Sequence, residues 1–228
     1  MRLGVLFSGG KDSILALALM KERDHEISCL INLISENKYS YMFHTPSVNN
    51  AIKQAESMDL PILVKKTLGE KEDELLDLKN AIEKAKSEYS LDGIVTGAVK
   101  SVYQASRIQK ICDDLKLELI NPLWKMDELE ILEILIKRKF DVRIVGVFAY
   151  PLTIEYLGRK IDGNFVEEFS KLKEKYKINP AGEGGEFETF VLDCDLFKKK
   201  LKITDFEDFK EGENSFRREL KVEIANGK

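Results

Sequence analysis

The chain has 228 residues, 43% of them hydrophobic and 33% charged, which is the composition of a folded protein with a sizeable core. A net charge of −4 without any long basic segment argues against sequence-independent binding to nucleic acid, so no direct nucleic-acid partner is expected. Three scattered cysteines predict free thiols in a reducing cytoplasm, and no apolar run approaches the roughly 18 residues that a membrane span needs.

The first apolar run, residues 2–7, predicts a buried strand that leads directly into the hexapeptide S-G-G-K-D-S. In an open parallel sheet, ligands bind beyond the carboxyl ends of the strands, where helix N-termini present free amides. Two glycines let the backbone approach an anion, the lysine adds a positive charge, and the serines add hydroxyl donors. Asp12 is in addition a candidate ligand for Mg²⁺. The predicted phosphate-binding residues are Ser8, Gly9, Gly10, Lys11, Asp12 and Ser13.

Neither common nucleotide-binding fingerprint fits this turn. Lys11 is followed by Asp12 rather than by the serine or threonine of a Walker A motif, and the dinucleotide pattern G-x-G-x-x-G is absent from the sequence. A glycine turn capped by Asp12 or Ser13 is the alternative. The complete hexapeptide directly after an N-terminal strand favours the ligand site.

Apolar runs alternate with amphipathic helical patterns through the rest of the first half. Further strands are predicted at 27–34, 62–64 and 93–96, and helices with one apolar stripe at 48–58, 75–89 and 105–115. This alternation predicts βαβ units and therefore an open parallel, Rossmann-like sheet with right-handed crossovers.

His44 lies between the second predicted strand and its helix, at the ligand edge of the sheet. Thr45 is predicted as the N-cap of that helix and Pro46 as its first residue. A lone histidine in such a place is more often structural than catalytic, but its position makes His44 a candidate nucleotide contact.

The segment G-A-V-K-S-V-Y-Q-A-S-R, residues 97–107, follows the fourth predicted strand and opens the next helix, at the same sheet edge as the hexapeptide. Gly97 allows close approach of a nucleotide, and Ser101 is predicted to cap the helix. Tyr103 and Arg107 lie off the apolar stripe, and Arg107 is a candidate partner for a phosphate or a substrate carboxylate. A capped helix with a surface arginine is the alternative.

Asn121-Pro122 interrupts the alternation, and the chain changes character after it. A helix at 127–139 and a strand at 142–148 follow, and the strand suits either the first sheet or a new one. Alternating segments at 201–206 and 216–224 predict antiparallel strands, and Arg217-Arg218 is predicted to lie on a solvated face. We therefore divide the chain into a nucleotide-binding domain, residues 1–122, and a smaller α+β domain, residues 123–228.

Carboxylates are crowded among glycines in G-E-G-G-E-F-E-T, residues 182–189. If a strand begins at Glu186, then Glu186 and Glu188 share one face of it. Acids this close repel each other unless one is protonated or a cation lies among them, such as Mg²⁺, ammonium or a positively charged substrate. A solvated acidic hairpin is the alternative, which the three glycines make less favourable.

Five segments together carry a resemblance. They are S-G-G-K-D-S, F-H-T at 43–45, the segment at 97–107, N-P-L-W at 121–124 and E-G-G-E-F-E-T-F-V-L-D at 183–193. The hexapeptide resembles the PP-loop of the N-type ATP pyrophosphatases, and the five segments in this order resemble the diphthine–ammonia ligase family over nearly the whole chain. The element E-G-G-E-[FY]-E-[TS] separates that family from other PP-loop enzymes. Asp195 stands where the family pattern has a proline.

The resemblance implies an adenine nucleotide alpha hydrolase-like fold and ATP-dependent amidation of diphthine, a modified histidine of translation elongation factor 2. Free ammonium is the expected nitrogen source, ATP and Mg²⁺ the cofactors, and AMP and pyrophosphate the products of an acyl-adenylate route. Lys11, Asp12 and Arg107 are the implied catalytic residues, with Asp12 on the metal. Nucleotide binding extends to His44 and Gly97. The implied substrate-binding residues are Ser101, Tyr103, Arg107, Glu183, Gly184, Gly185, Glu186, Glu188 and Thr189.

Diphthine carries a trimethylammonium group, which the acidic segment together with Phe187 or Tyr103 is predicted to recognise. Two other functions stay open. One is a PP-loop enzyme acting on another acceptor such as a tRNA base, although thiolating enzymes of that kind bring paired cysteines and a basic surface. The other is a regulator that binds ATP without cleaving it. The sequence leaves homo-oligomerisation open.

Overall fold

The computed structural model describes residues 1–35, 48–67 and 71–225. The chain forms two compact units, Met1–Trp124 and Lys125–Lys228. The boundary between them lies two residues after the one expected from the sequence. The predicted nucleotide contact His44 lies outside the described residues, and so do the predicted cap Thr45 and its neighbour Pro46.

The first unit is a five-stranded parallel sheet in the order β3-β2-β1-β4-β5, which confirms the open, Rossmann-like α/β fold. Its strands are β1 Arg2–Leu6, β2 Glu26–Ser35, β3 Ile62–Thr67, β4 Gly93–Val95 and β5 Glu118–Ile120. Its helices are α1 Lys11–Glu22, α2 Val48–Met58, α3 Lys71–Tyr89 and α4 Val102–Leu115. The strand order reverses between β1 and β4, and ligands of open α/β sheets bind at such a switch point.

Apolar helix faces cover this sheet, as the helical stripes predict. One core cluster contains residues of β2, α3, β4 and α4. Its buried members include Cys29, Leu78, Ile82, Ile108 and Cys112. Strand β5 was not predicted, because it has three residues and none of them is fully buried. A strand this short on a sheet edge carries too few side chains to show an apolar pattern.

The second unit contains an antiparallel sheet in the order β7-β6-β9-β8. Its strands are β6 Asp141–Val147, β7 Phe187–Asp193, β8 Leu201–Gly212 and β9 Ser215–Ile224. Its helices are α5 Glu128–Lys137 and α6 Gly163–Tyr176, with a short 3-10 helix at Ile154–Tyr156. Strand β6 pairs with β7 and β9. The strand predicted at 142–148, which the sequence left open to either sheet, therefore belongs to the second sheet. None of the described helices combines the length and apolarity required to cross a membrane.

Helix α6 was missed in the sequence because only two of its residues, Phe165 and Phe169, are buried. Their rings stack on each other with centroids 3.8 Å apart, and both meet the ring of Phe187 edge-on. Phe187 is 5% exposed. The prediction that Phe187 recognises a substrate cation is therefore wrong, because its ring is enclosed by the core of the second unit.

Asp195, which stands where the resemblance leads us to expect a proline, takes part in an ion pair after the end of β7. Its Oδ2 accepts hydrogen bonds from Arg138 Nε at 2.9 Å and Arg138 Nη2 at 2.5 Å. The guanidinium lies at the C-cap of α5, so the pair links that helix to the segment after β7.

Candidate active site

The hexapeptide forms the turn between β1 and α1. Gly9 has a φ of +80°, which a residue with a side chain rarely adopts, and Gly10 is the N-cap of α1. The two serine hydroxyls hold the turn together. Ser8 Oγ accepts from the amide of Gly10 at 3.3 Å, and Ser13 Oγ donates to the carbonyl of Gly10 at 3.0 Å. Because Gly10 has no side chain, no capping group of its own covers the first turn of α1, which suits an anion.

Lys11 and Asp12 form a close pair at the start of α1. The Nζ of Lys11 donates to Asp12 Oδ2 at 2.7 Å, and the side chains are 3% and 24% exposed. The other carboxylate oxygen, Asp12 Oδ1, is buried and has no hydrogen-bond partner among the residues that the structure describes. An oxygen of this kind suits Mg²⁺, which usually takes one or two protein carboxylates and completes its shell with phosphates and water. Within residues 1–35, 48–67 and 71–225 no cluster of three or more acidic, histidine or cysteine ligands occurs.

Gly97 lies against the backbone of this same turn. A Cβ added at Gly97 would be 2.7 Å from the carbonyl carbon of Asp12 and 2.8 Å from the amide nitrogen of Ser13. The sequence predicted close approach to a nucleotide, and the structure shows close approach to the first turn of α1. Since β1 and β4 are neighbours, with Val5 opposite Val95, Gly97 brings the start of α4 beside the hexapeptide.

Ser101 is the N-cap of α4 and accepts a hydrogen bond from the amide of Gln104 at 3.3 Å, as predicted. One turn into the helix, the guanidinium carbon of Arg107 lies 3.4 Å from the ring centroid of Tyr103. Arg107 Nη1 also lies 3.4 Å from the carbonyl oxygen of Tyr103, to which it donates. Stacking on a ring of its own helix holds the planar guanidinium near the start of α4.

Four polar residues around the turn were not predicted. The hydroxyl of Thr96 donates to Asn121 Oδ1 and accepts from the amide of Ala98, so the N-P-L-W segment supports the end of β4. Asn32 and Gln54 are fully buried, and each donates to a backbone carbonyl of the turn. A signal was available for Asn32, which is a polar residue within an otherwise apolar strand, whereas Gln54 shares its helix face with the buried polar residues Asn50 and Ser57.

In the second unit, Glu186 organises the glycine-rich segment that precedes β7. Its Oε1 accepts from the amide of Asn179 at 3.0 Å, and its Oε2 accepts from the amide of Gly184 at 2.8 Å. Gly184 and Gly185 are exposed, and Glu183 is half-buried. The strand begins at Phe187, one residue later than the sequence analysis supposed.

Glu188 and Thr189 lie on β7 itself. Gly146 of β6 is opposite both Glu188 and Arg217, and Arg217 Nη2 lies 3.8 Å from Glu188 Oε1. Arg217 Nε also lies 3.3 Å from Glu211 Oε1. Arg217 is 14% exposed, so the prediction of a solvated face is wrong for it. Arg217 is thus a cation of the chain itself beside Glu188 and Glu211, whereas Thr189 is buried opposite Ile144.

Replacing Glu186 by Gln should lower the free energy of unfolding by about 1–3 kcal/mol, because an amide can accept from only one of the two backbone donors. Urea denaturation followed by circular dichroism measures this change. Glu174→Gln, at an exposed position of α6, is the control and should change stability by less than about 0.5 kcal/mol. Equal stabilities of the two variants would show that the Glu186 bonds contribute nothing to the segment.

Comparison with known proteins gives matches over both units. The model of the diphthamide synthase N-terminal domain matches residues 1–119, and that of the C-terminal domain matches residues 127–223. A diphthine–ammonia ligase of Bos taurus is 33% identical over 227 residues, covering 91% of this chain and 84% of the relative. The corresponding ligase of Danio rerio is 34% identical over 221 residues, covering 89% of this chain and 86% of the relative.

The diphthine–ammonia ligase of Schizosaccharomyces pombe is 32% identical over 218 residues, which is 89% of this chain. The chain spans 36% of the length of that relative.

Proposed function

The chain belongs to the diphthamide synthase family, and we propose that it is the ATP-dependent ligase that converts the carboxylate of diphthine to the amide of diphthamide. The observation that carries the proposal is the match of both family domains, together with the hexapeptide turn at the switch point of the first sheet. The substrate is translation elongation factor 2 carrying diphthine, and the nitrogen comes from free ammonium.

Activation of the carboxylate is the first half of the reaction. A carboxylate is a poor acyl donor because its leaving group would be an oxide ion. Its oxygen therefore attacks the α phosphorus of ATP, the bond from that phosphorus to the bridging oxygen breaks, and pyrophosphate leaves. The backbone amides of the turn and the ammonium of Lys11 stabilise the negative charge that develops on the departing diphosphate. Mg²⁺ held by Asp12 would supply further neutralisation of the phosphates.

Amide formation is the second half. Ammonia attacks the carbonyl carbon of the acyl-adenylate, AMP leaves, and the nitrogen loses a proton. Arg107, held on the ring of Tyr103 near the start of α4, is proposed to bind the substrate carboxylate or the α phosphate before transfer. Exclusion of water from the site is required, because hydrolysis would otherwise consume the intermediate.

The second unit is proposed to bind the protein substrate through the segment at 182–189. Support comes from the exposed backbone of Gly184 and Gly185, which the carboxylate of Glu186 holds in place. Glu183 and Glu188, both half-buried, complete the proposed surface, whereas the predicted Thr189 is buried in β7 and is left out of it. The internal partner of Glu188, Arg217, implies that this carboxylate acts within an ion-pair network rather than as a separate charge.

Transfer of sulfur to a tRNA base is not favoured. The chain has three cysteines, Cys29, Cys112 and Cys194, and all are buried with free thiols. Burial raises the pKa of each of these thiols to about 12, so they are protonated at neutral pH and do not suit nucleophilic chemistry. Free thiols do support a location in the cytoplasm.

The test is incubation of the protein with ATP, ammonium and elongation factor 2 that carries diphthine. Formation of AMP should require both the factor and ammonium, and the mass of the factor should show conversion of one carboxyl group to a carboxamide. AMP formed only with tRNA would support an enzyme acting on another acceptor. ATP that is bound and never cleaved would support a nucleotide-binding regulator.

A further inference from the structure

We propose that Asn32 and Gln54 are positioning residues that orient the peptide groups of the hexapeptide turn so that its amides face the phosphates. The inference rests on the proposed function, because it concerns the same nucleotide site. Neither residue belongs to the hexapeptide or to the other segments that carry the family resemblance.

Two buried amides reach the turn from different elements. Asn32 of β2 is 1% exposed, and its Nδ2 donates to the carbonyl oxygen of Phe7 at 2.6 Å. Gln54 of α2 is 0% exposed, and its Nε2 donates to the carbonyl oxygen of Gly9 at 3.0 Å. The two carbonyls on either side of Ser8 are thus both held toward the interior of the first unit.

These two hydrogen bonds also fix the direction of the neighbouring backbone amides, because of the geometry of the peptide group. In a trans peptide, the carbonyl of one residue and the N–H of the next point in opposite directions. When the carbonyls of Phe7 and Gly9 point inward, the N–H groups of Ser8 and Gly10 point away from the interior, and that of Gly10 also donates to the hydroxyl of Ser8 at 3.3 Å. An anion is attracted by N–H dipoles and repelled by carbonyl oxygens, so this arrangement favours a phosphate on the outer side of the turn.

Gly9 and Gln54 are also matched in shape. Gly9 has a φ of +80°, and a Cβ added at this position would overlap the side-chain oxygen of Gln54. The positive φ is what favours glycine here, and a larger residue would in addition displace the amide of Gln54 from the turn. A neutral donor satisfies the carbonyl without adding a charge beside the phosphates.

Burial of an amide is costly unless its hydrogen bonds are made, and an aliphatic residue would cover the same surface more cheaply. Gln54 lies on the buried face of α2, beside the polar Asn50 and Ser57 and the apolar Ala51, Ala55 and Met58. The bond to the carbonyl of Gly9 helps to offset the cost of burying the amide of Gln54.

The experiment compares Gln54→Met with Ala55→Gly in the full chain. Methionine has nearly the volume of glutamine but cannot donate the hydrogen bond to Gly9. Ala55→Gly destabilises the same helix at a neighbouring buried position, which makes no side-chain hydrogen bond to the turn. Direct binding of pyrophosphate and of ATP is measured by calorimetry, with the melting temperature as the measure of stability. We expect Gln54→Met to weaken both ligands about tenfold, the effect of one hydrogen bond, and Ala55→Gly to leave them within about twofold.

The KM values for ATP and ammonium distinguish a loss of phosphate positioning from a general loss of structure. Gln54→Met should raise KM for ATP and leave KM for ammonium unchanged. If its loss of affinity is no greater than that of Ala55→Gly at a comparable melting temperature, the residue is structural and the inference fails. If Gln54→Met does not fold, Asn32→Leu, which removes the donor to the carbonyl of Phe7, is measured in its place. The same loss of about tenfold in affinity for ATP and pyrophosphate is expected, and a loss no greater than that of Ala55→Gly contradicts the inference.

The proposed function and this inference fail in distinguishable ways. Wild-type protein that binds neither ATP nor pyrophosphate would contradict the proposed function. Wild-type protein that binds both, with variants that bind equally well, would contradict only the positioning role.

Discussion

Replacing Lys11 by Met should lower kcat for AMP formation about 10²–10³-fold, the usual effect of removing one preorganised group that stabilises charge in a transition state. The side chain of Lys11 is 3% exposed and lies at the first position of α1, where the proposed reaction develops negative charge on the departing diphosphate. In so dry a place its electrostatic contribution is larger than in water. A radiometric assay of AMP release under saturating ATP measures the effect.

Lys21→Met is the matched control, because it removes an exposed lysine from the last turn of the same helix. Its activity should stay within about twofold of the wild type. If the two variants show similar kcat values, Lys11 has no part in the reaction.

Loss of the Lys11 charge also affects stability. Removing one member of a buried ion pair leaves the other charge uncompensated, and such variants typically lose about 3–5 kcal/mol. Asp12 is partly exposed, at 24%, so the smaller end of that range is expected. The double variant Lys11→Met/Asp12→Asn should recover part of this loss without recovering activity, which separates the catalytic effect from the structural one.

Replacing Gly97 by Ala should abolish most of the activity and destabilise the first unit by about 1–3 kcal/mol, the usual cost of an extra methyl group in a well-packed place. The added Cβ would lie 2.7 Å and 2.8 Å from backbone atoms of Asp12 and Ser13, and backbone cannot turn aside as a flexible side chain can. The start of α4 must therefore move away from the hexapeptide. A displacement near 1 Å can cost about 10²-fold in rate, because the reacting groups lose alignment.

Gly163→Ala is the matched control for this substitution. Gly163 is the first residue of α6, and no described atom lies within 4 Å of a Cβ added there. Alanine favours a helix over glycine by up to about 1 kcal/mol, so this variant should be as stable as the wild type or more so, with unchanged AMP formation. A Gly97→Ala protein with wild-type kcat and melting temperature would contradict the close packing.

The order of the elements in the first unit followed from local patterns. Runs of apolar residues predicted β1 and β2, and stripes at three- and four-residue intervals predicted α3 and α4, because each pattern reports one buried face of one element. Two elements show no such pattern and were not predicted. In α6 two phenylalanines form the whole buried face, and β5 is too short to show an apolar pattern.

The candidate site divides in the same way. The hexapeptide was visible because strand, turn and helix are consecutive, so its glycines, lysine and aspartate could be placed at a helix N-terminus without knowledge of the rest of the chain. The partners of that turn could not be seen. Gln54 is 45 residues from Gly9, and Asn32 is 25 residues from Phe7, so only the folded sheet brings them together.

The second unit shows how tertiary contacts change an interpretation. An acidic segment among glycines suggested a site for a foreign cation, and the pairing of β6 with β7 and β9 puts Glu188 and Arg217 on either side of Gly146, with 3.8 Å between Arg217 Nη2 and Glu188 Oε1. Phe187, which was predicted to recognise a substrate cation, is enclosed by two rings of a helix that the sequence pattern did not reveal.

The amino-acid sequence alone determined the fold class, the location of the hexapeptide turn proposed to bind phosphate, and the family, because these depend on residues that are neighbours along the chain. Tertiary structure decided which carbonyls of the turn face inward, which acid has an internal partner and which aromatic ring is buried. Those properties depend on side chains from distant segments, whose contacts exist only after the sheets have formed.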